Sequence, residues 1–169
     1  LAKSTKIGRF GEVIPERFYN FGIAEANMIA VASGMAETGL IPVVSTFATF
    51  ASMRAAEFVR TDLCYQKRNV KIIATHSGTS FGTAGTTHHC TEDLAIMRTF
   101  PGMTVIAPAD AYETARAVAA AIEIEGPVYI RIGRGFEPPL HKSMDFDFEI
   151  GKAIELREGT DVTVIATGV

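Results

Sequence analysis

The sequence has 169 residues, of which 47% are hydrophobic and 21% charged, and its formal net charge is -3. This length and balance predict one substantial globular domain. Lysine and arginine do not cluster, so the sequence offers no electrostatic surface typical of proteins that bind nucleic acid or anionic membranes. No uncharged apolar run approaches the roughly 20 residues that cross a bilayer, and no signal-like leader opens the sequence. We therefore expect neither nucleic acid nor a membrane as a partner.

The two cysteines, Cys64 and Cys90, lie far apart in the sequence. Their spacing matches neither a metal-binding nor a redox motif, and it does not suggest a disulfide framework. We expect a cytoplasmic location.

In chain order, short β-branched segments alternate with longer helical ones, which is the pattern of parallel βαβ units. The segment "VKIIAT" is apolar on both of its faces, so we expect helices on both sides of the sheet. The fold class is predicted to be α/β, with three α/β/α layers and a mainly parallel central sheet. The predicted strands are residues 17–21, 41–45, 70–75, 104–107 and 128–132, and the predicted helices are residues 24–37, 47–63, 92–99 and 111–124.

The last part of the sequence differs in composition from the alternating pattern before it. Residues 134–147 include Pro138 and Pro139 and show little periodicity, which indicates a linker. We predict one domain over residues 1–135, extending to about 147. Residues 148–169 are predicted to form the linker and opening strands of a truncated second domain. A last strand with nothing to pair with would make the chain a fragment of a longer polypeptide.

Candidate functional residues follow several of the predicted strands. In open parallel sheets, ligands bind beyond the carboxyl ends of the strands, where the loops of several βα units converge. The predicted elements bring Glu25, Phe47, Phe50, His76 and Arg134 to that edge. The sequence therefore predicts a site with a carboxylate, two aromatic rings, a histidine and a guanidinium group.

Glu25 lies at the start of a predicted helix, in a run of apolar residues. One interpretation is structural, because a carboxylate in the first helical turn gains about 0.3–1 kcal/mol from the helix dipole. However, its neighbours Ile23, Met28 and Ile29 predict burial on nearly every side. A buried carboxylate needs a partner and is suited to proton transfer. Both interpretations remain open at this point.

Phe47 and Phe50 are three residues apart and therefore share one face of the predicted helix. Core packing is the simpler interpretation, and a flat wall for a planar ligand is the alternative. Arg134 follows an apolar strand and precedes Gly135, a position suited to binding an anion, although a solvated surface charge is the usual role of arginine.

The stretch from Thr75 to Glu92 is rich in glycine, threonine and histidine and contains almost no core-forming side chain. A loop of this length in a compact domain is usually functional or disordered, and its position after a buried strand favours function. Metal binding by His76, His88, His89 and Cys90 is disfavoured, because three adjacent residues cannot easily direct their side chains at one ion. We predict no metal site, and we expect the histidines to bind substrate or transfer protons.

Several of these segments together resemble a known family. They are "FYNFGIAEANMIAVASGMA", "VSTFATFASMRAAEFVR", "THSG", "TTHHCTEDLAIMRTFPGMTVIAPAD" and "GPVYIRIGR". In this order and spacing, they resemble the pyrimidine-binding domain of transketolases, especially the C-terminal subunit of transketolases that are split over two chains. The resemblance covers most of residues 3–134, and "DVTVIATG" is similar to the opening of the third domain of that family.

The resemblance implies thiamine diphosphate as the cofactor. Glu25 corresponds to the glutamate that bonds to N1′ of the cofactor's aminopyrimidine ring and so promotes loss of the proton at C2 of its thiazolium ring. Phe50 corresponds to the residue that stacks on the pyrimidine, with Phe47 beside it and Ile23 lining the pocket.

The resemblance also implies how the substrate is bound. His76 and His88 correspond to histidines that face the reacting sugar, and Arg134 to an arginine that binds the sugar phosphate. Two positions depart from the family pattern: Ala84 stands where an aspartate commonly recognises a sugar hydroxyl, and Met53 stands where an aromatic residue is common beside the cofactor. These departures affect the expected sugar more than the activation of the cofactor.

The expected function is therefore the pyrimidine-binding half of a transketolase-like enzyme that transfers a two-carbon ketol unit between phosphosugars. By the same resemblance, we expect a homodimer that is completed by a diphosphate-binding domain or subunit, which also holds Mg²⁺, and we expect no activity from this chain alone. The alternatives are a 1-deoxyxylulose-5-phosphate synthase-like or other thiamine-dependent subunit, and a non-catalytic paralogue with a role in assembly. The presence of Glu25 argues against lost chemistry.

Overall fold

The computed structural model describes residues 2–135 and 137–168. Within these ranges, no helix has both the length and the apolar character needed to span a bilayer. The regular elements in chain order are α1 (Gly8–Val13), a 3₁₀ turn (Pro15–Arg17), α2 (Glu25–Glu37), β1 (Val43–Phe47), π1 (Phe50–Arg54), α3 (Ala56–Phe58), π2 (Val59–Tyr65), β2 (Lys71–Thr75), a second 3₁₀ turn (Gly82–Ala84), α4 (Asp93–Arg98), β3 (Thr104–Ile106), α5 (Ala111–Glu123) and β4 (Val128–Arg131).

The four strands form one parallel sheet in the order β1-β2-β4-β3. In the register of this sheet, Val44 lies beside Ile72, and Ile72 lies beside Tyr129. Because all the strands run in the same direction, their carboxyl ends lie at one edge of the sheet. The predicted α/β fold with a mainly parallel sheet is confirmed.

The side chains of successive residues in β4 pack in two different clusters of the core. Tyr129 packs in a cluster with residues of α2, π2 and α4, including Ile29, Leu63 and Met97. Its neighbours in the strand, Val128 and Ile130, pack in a second cluster with Ala117 and Ala121 of α5. Since side chains alternate across a strand, helices cover both faces of the sheet and form the three layers that the sequence predicted.

The predicted strand at residues 17–21 is wrong. Pro15 opens a 3₁₀ turn, in which the amides of Arg17 and Phe18 donate to the carbonyls of Ile14 and Pro15 at 3.1 and 3.2 Å. The residues that follow are irregular, and Tyr19 is 59% exposed. The alternation of side chains suggested a strand, but the local turn uses the first two amides that strand pairing would need.

The structure differs in two ways from the helix predicted at residues 47–63. Phe47 is the last residue of β1, and the chain that follows is helical mainly as the π-helical segments π1 and π2. In π1, the amide of Ala55 donates to the carbonyl of Phe50 at 3.1 Å, five residues back. Such i→i+5 turns are rare and often mark functional sites. The wider turn brings residues four and five apart onto the same side of the segment.

The two strands predicted within residues 148–169 are not present among the described residues, which are irregular up to Gly168. The apolar side chains of this segment are exposed, at 77% for Val162 and 85% for Val164. A strand is stabilised by its neighbours, and in the described structure no strand pairs with this segment. The division into a domain at residues 1–135 and a following domain remains a prediction.

A buried charged network joins β4 to the start of α4. Asp93, which is fully buried, accepts hydrogen bonds from the hydroxyl of Tyr129 at 2.9 Å and from Nε of Arg131 at 3.0 Å. Burial and the charge of Asp93 raise the pKa of Tyr129 well above its ordinary value, which keeps the tyrosine a donor. The network therefore fixes the chain just after the long loop of residues 76–90.

We expect Asp93→Ala to destabilise the domain by about 3–5 kcal/mol, because removing one partner leaves a largely buried cation and a buried hydroxyl uncompensated. The measurement is urea unfolding, with Asp145→Ala as the control, since Asp145 is exposed. Equal free energies of unfolding for the two variants would show that the network contributes little.

Candidate active site at the carboxyl edge of the sheet

Glu25 is a buried carboxylate at the edge where the carboxyl ends of the strands lie. It is the first residue of α2 and is only 1% exposed, which confirms the burial predicted from its neighbours. Its Oε2 pairs with Nη1 of Arg54 at 2.9 Å, and its Oε1 lies 3.5 Å from the hydroxyl of Thr46 in β1. The positive end of the α2 dipole also favours its charge. One face of this site is therefore a fixed negative charge held away from water.

Five aromatic side chains form a cluster beside this carboxylate: Phe47, Phe50, His76, Phe81 and His88. The rings of Phe47 and Phe50 are stacked, with centroids 5.9 Å apart and planes inclined by 26°. Phe47 also lies 4.2 Å from the ring of His76, and Phe50 lies 5.5 Å from the ring of His88. Phe81 completes the cluster with its edge contacts to both histidines, at 4.6 and 5.4 Å. The structure thus brings four predicted site residues together.

His76 follows β2 and is held in a strained backbone conformation. Its φ is +59°, which is uncommon for a residue with a side chain, and the residue is 5% exposed. Its ring Nδ1 lies 2.8 Å from the hydroxyl of Thr75, which in turn donates to the carbonyl of Thr46 at 3.4 Å. Because the hydroxyl has one proton, it accepts from Nδ1–H of His76. In that tautomer, Nε2 carries the free lone pair.

The surroundings of His76 keep its ring neutral. Burial lowers the pKa of His76 below its ordinary value of 6.5, and the nearby charges of Arg134 and Lys6 lower it further. At neutral pH the imidazole is therefore uncharged and able to accept a hydrogen bond or a proton.

Positive charge collects beyond β4, next to the aromatic cluster. The guanidinium carbon of Arg134 lies 5.1 Å from the centroid of the Phe81 ring. Lys6, from the N-terminal segment, lies close to Gly135. The Nζ of Lys6 is 3.1 Å from the position that a Cβ on Gly135 would occupy. Glu137 binds the backbone here by accepting from the amides of Arg134 and Gly135 at 2.9 and 2.8 Å. The arrangement suits an anionic group bound beside the histidines.

The loop of residues 76–90 is closed at its base and contributes His76, Phe81 and His88 to the aromatic cluster. The amides and carbonyls of Gly78 and Cys90 bond to each other at 2.7 and 2.8 Å. Gly82 and Gly85 have φ values of +58° and +73°, which a glycine adopts without strain and which turn the chain around the short 3₁₀ segment that contains Ala84. Among residues 2–135 and 137–168, no three His, Cys, Asp or Glu side chains form a group that could hold a metal ion.

Two residues that the sequence analysis placed beside the cofactor lie at the surface of the chain. Ile23 is 78% exposed and Met53 is 42% exposed. The predicted role of Ile23 as a wall of the pocket depends on what covers it in an assembly, so it remains a prediction.

Sequence reasoning missed three residues of this site: Arg54, Phe81 and Lys6. Arg54 follows Phe50 by four residues in a predicted helix, which was a usable signal. Phe81 is the one aromatic residue of the glycine-rich loop, apart from histidines, and could also have been noticed. Lys6 had no local signal, because its place beside Gly135 depends on a contact between distant parts of the chain.

Comparison with known families identifies the domain. The model of the family described as "Transketolase, pyrimidine binding domain" matches residues 1–137. The chain belongs to the transketolase pyrimidine-binding domain family. The resemblance inferred from the sequence motifs is confirmed.

Individual relatives agree with this family. This pyrimidine-binding domain is 46% identical over 169 residues to a putative transketolase C-terminal section of Methanocaldococcus jannaschii, covering 99% of this chain and 54% of the relative. It is 39% identical over 165 residues to an apulose-4-phosphate transketolase subunit of Phocaeicola vulgatus, covering 98% of this chain and 53% of that protein. A solved structure described as "Split gene transketolase, inactive beta4 tetramer" matches at 50% identity with a TM-score of 0.82, covering 94% of this chain and 51% of that one. The chain thus spans about half the length of these relatives.

We expect His76 to make the stability of the domain depend on pH. Its pKa is lowered in the folded state, so the unfolded chain binds more protons between that value and 6.5. The free energy of unfolding should therefore fall as the pH drops below 6.5, by at most about 1.4 kcal/mol per pH unit from this residue.

The measurement is urea unfolding at pH 7.5 and at lower pH for the unmodified domain and for His76→Asn, since asparagine tolerates a positive φ. The loss of stability on acidification should be smaller in the variant. An equal loss in both proteins would show that His76 does not carry this dependence.

Proposed function

We propose that this domain is the pyrimidine-binding half of a thiamine-diphosphate-dependent, transketolase-like enzyme that transfers a two-carbon ketol unit between phosphosugars. The observation that carries the proposal is the position of Glu25, a carboxylate that is 1% exposed and lies beside aromatic rings at the carboxyl edge of the sheet. A buried acceptor next to a flat apolar wall is complementary to an aminopyrimidine, which is planar and carries a basic ring nitrogen.

In this proposal, Glu25 bonds to the ring nitrogen N1′ of the cofactor and shares a proton with it. Phe50 stacks on the pyrimidine, Phe47 supports Phe50 from the side, and Ile23 lines the outer wall of the pocket. When bound, thiamine diphosphate supplies a thiazolium carbon that becomes a nucleophile on losing its proton. The hydroxyl of Thr46 lies 3.5 Å from Oε1 of Glu25 and so helps to orient the carboxylate.

His76, His88 and Arg134 form the substrate side of the proposed site. The neutral ring of His76 offers Nε2 as an acceptor for a hydroxyl proton of the sugar, and His88 contacts the same Phe81 ring as His76 does. Arg134, with Lys6 nearby, suits a sugar phosphate as a charge-assisted partner. Ala84 cannot form the hydrogen bond that an aspartate would make there, so the sugar configuration at that position should be selected less strongly.

The proposal includes two partners. A diphosphate-binding domain or subunit holds the rest of the cofactor and Mg²⁺, as the family resemblance implies, and this chain spans only about half the length of its relatives. A second copy of the pyrimidine-binding domain covers apolar side chains on α2 and around π1, of which Val31 is 38% exposed and Met53 is 42% exposed. We place the enzyme in the cytoplasm, where the two buried free cysteines would stay reduced.

Other thiamine-dependent reactions remain candidates for the same site. A 1-deoxyxylulose-5-phosphate synthase-like subunit would use the same carboxylate and aromatic rings, and relatives with that name are 36% and 37% identical to this chain. The transketolase relatives compared above are more similar, at 39% and 46%. A non-catalytic paralogue has less support, because it would have no need to keep a buried carboxylate at this edge.

We predict that Glu25→Gln in the assembled enzyme lowers kcat by about 10²- to 10⁴-fold at saturating cofactor, because the amide cannot share a proton with N1′. The control is Glu123→Gln, since Glu123 is exposed at the end of α5, on the other face of the sheet. The measurement is steady-state ketol transfer. An unchanged kcat for Glu25→Gln would contradict the proposed role of Glu25.

We also predict that the domain forms a homodimer and that Val31→Asp weakens it, because the substitution would bury a charge in the apolar interface. Sedimentation of the unmodified chain at tens of micromolar should show dimers, and the variant should shift towards monomers. The control is Val162→Asp, a residue that is 77% exposed and far along the chain. A monomer for the unmodified chain, or an equal dimer for Val31→Asp, would contradict this arrangement.

A further inference from the structure

Arg54 contacts Glu25 and Phe50, the residues that the proposed function assigns to bonding with the pyrimidine ring and to stacking on it. Its Nη1 lies 2.9 Å from Oε2 of Glu25, and its guanidinium carbon lies 4.2 Å from the centroid of the Phe50 ring. The guanidinium group therefore pairs with the carboxylate and lies over the aromatic face at the same time. Arg54 was not among the residues that the sequence motifs assigned to the site.

A guanidinium group and an aminopyrimidine ring have in common the properties that Glu25 and Phe50 can bind. Both are planar and delocalised, both present N–H groups in the plane, and both stack on aromatic faces. We propose that Arg54 occupies the pyrimidine position when no cofactor is bound, and that it leaves Glu25 and Phe50 when the aminopyrimidine binds. This inference rests on the proposed function and adds a residue that sets cofactor affinity.

The surroundings of Phe50 indicate which of its surfaces the cofactor would need. Phe47 is stacked beside Phe50, and His88 meets it edge-on at 74°. The face covered by Arg54 adjoins Glu25, because one guanidinium group reaches both. A ring that bonds to Glu25 and stacks on Phe50 therefore needs the space that Arg54 occupies.

Arg54 can leave this position without a change in the fold. Its side chain is 47% exposed, whereas that of Glu25 is 1% exposed, so the arginine reaches the carboxylate from the solvent side. The π-helical turn that presents it is held by the bond from the amide of Ala55 to the carbonyl of Phe50, which does not involve the side chain. Rotation of the long side chain away from Glu25 and Phe50 is enough.

The exchange has a consequence for both states. Without cofactor, Arg54 compensates a charge that would otherwise be buried alone, which is unfavourable. Once Arg54 withdraws, Glu25 has no cation beside it. A hydrogen bond in which it shares a proton with the ring nitrogen then stabilises it more than it would with Arg54 in place. The cofactor must displace the arginine, so only molecules in which Arg54 has left can bind it. The apparent affinity for the cofactor is therefore lowered in proportion to the fraction of such molecules. Arg54 thus competes with the pyrimidine ring for the same place and lowers the affinity for the cofactor.

The test compares Arg54→Met with the matched control Arg60→Met in the complex with the diphosphate-binding subunit. Arg60 lies six residues further along the same helical stretch and is exposed. Calorimetric titration with thiamine diphosphate at excess Mg²⁺ gives the Kd. We expect Arg54→Met to bind the cofactor about fivefold more tightly than the unmodified complex, the equivalent of losing a partly exposed ion pair, and Arg60→Met to bind it equally well.

A structure of the unmodified complex with bound thiamine diphosphate gives a second measurement that needs no variant. It should show Nη1 of Arg54 beyond ion-pair distance from Glu25, with the pyrimidine between Glu25 and Phe50. Equal or weaker binding by Arg54→Met, or an Arg54–Glu25 pair retained beside the bound ring, would overturn the inference and leave the proposed function intact. Failure of the unmodified complex to bind thiamine diphosphate at all would overturn both.

Discussion

The buried charge of Glu25 constrains the whole edge of the sheet on which it lies. A carboxylate that is 1% exposed persists only if other groups compensate it. Here the compensation comes from three parts of the chain: the N-terminal end of α2, the hydroxyl of Thr46 in β1 and the guanidinium group of Arg54 in π1. The position of Glu25 thus depends on the packing of α2 and π1 against β1.

The parallel sheet connects this acid to the histidines. Thr75 is the last residue of β2, and Thr46 is the last but one of the neighbouring β1. The hydroxyl of Thr75 donates to the carbonyl of Thr46 and contacts the ring of His76. The loop that carries His88 is closed by Gly78 and Cys90, and the chain beyond it is fixed by Asp93, which binds Arg131. The hydrogen bonds of the sheet and of Asp93 therefore help to hold the histidines in place.

Much of the fold and part of the site could be predicted from local patterns. Apolar β-branched runs located the four strands of the sheet, and the apolar neighbours of Glu25 correctly predicted its burial. The prediction for residues 17–21 was wrong because the turn opened by Pro15 binds the amides of Arg17 and Phe18, which the alternation of side chains does not reveal. The Arg54–Glu25 pair and the approach of Lys6 to Gly135 join residues that are distant in sequence, so periodicity carries no information about them.

The central claim is that Glu25 acts on the cofactor by sharing a proton with its pyrimidine ring. The most direct measurement is the rate at which thiamine diphosphate bound to the assembled complex exchanges its C2 proton for deuterium, followed by NMR after rapid quenching. The account predicts that the complex accelerates this exchange strongly over the free cofactor and that Glu25→Gln removes most of the acceleration, with the cofactor still bound. Equal acceleration in the complex and in the variant would contradict it.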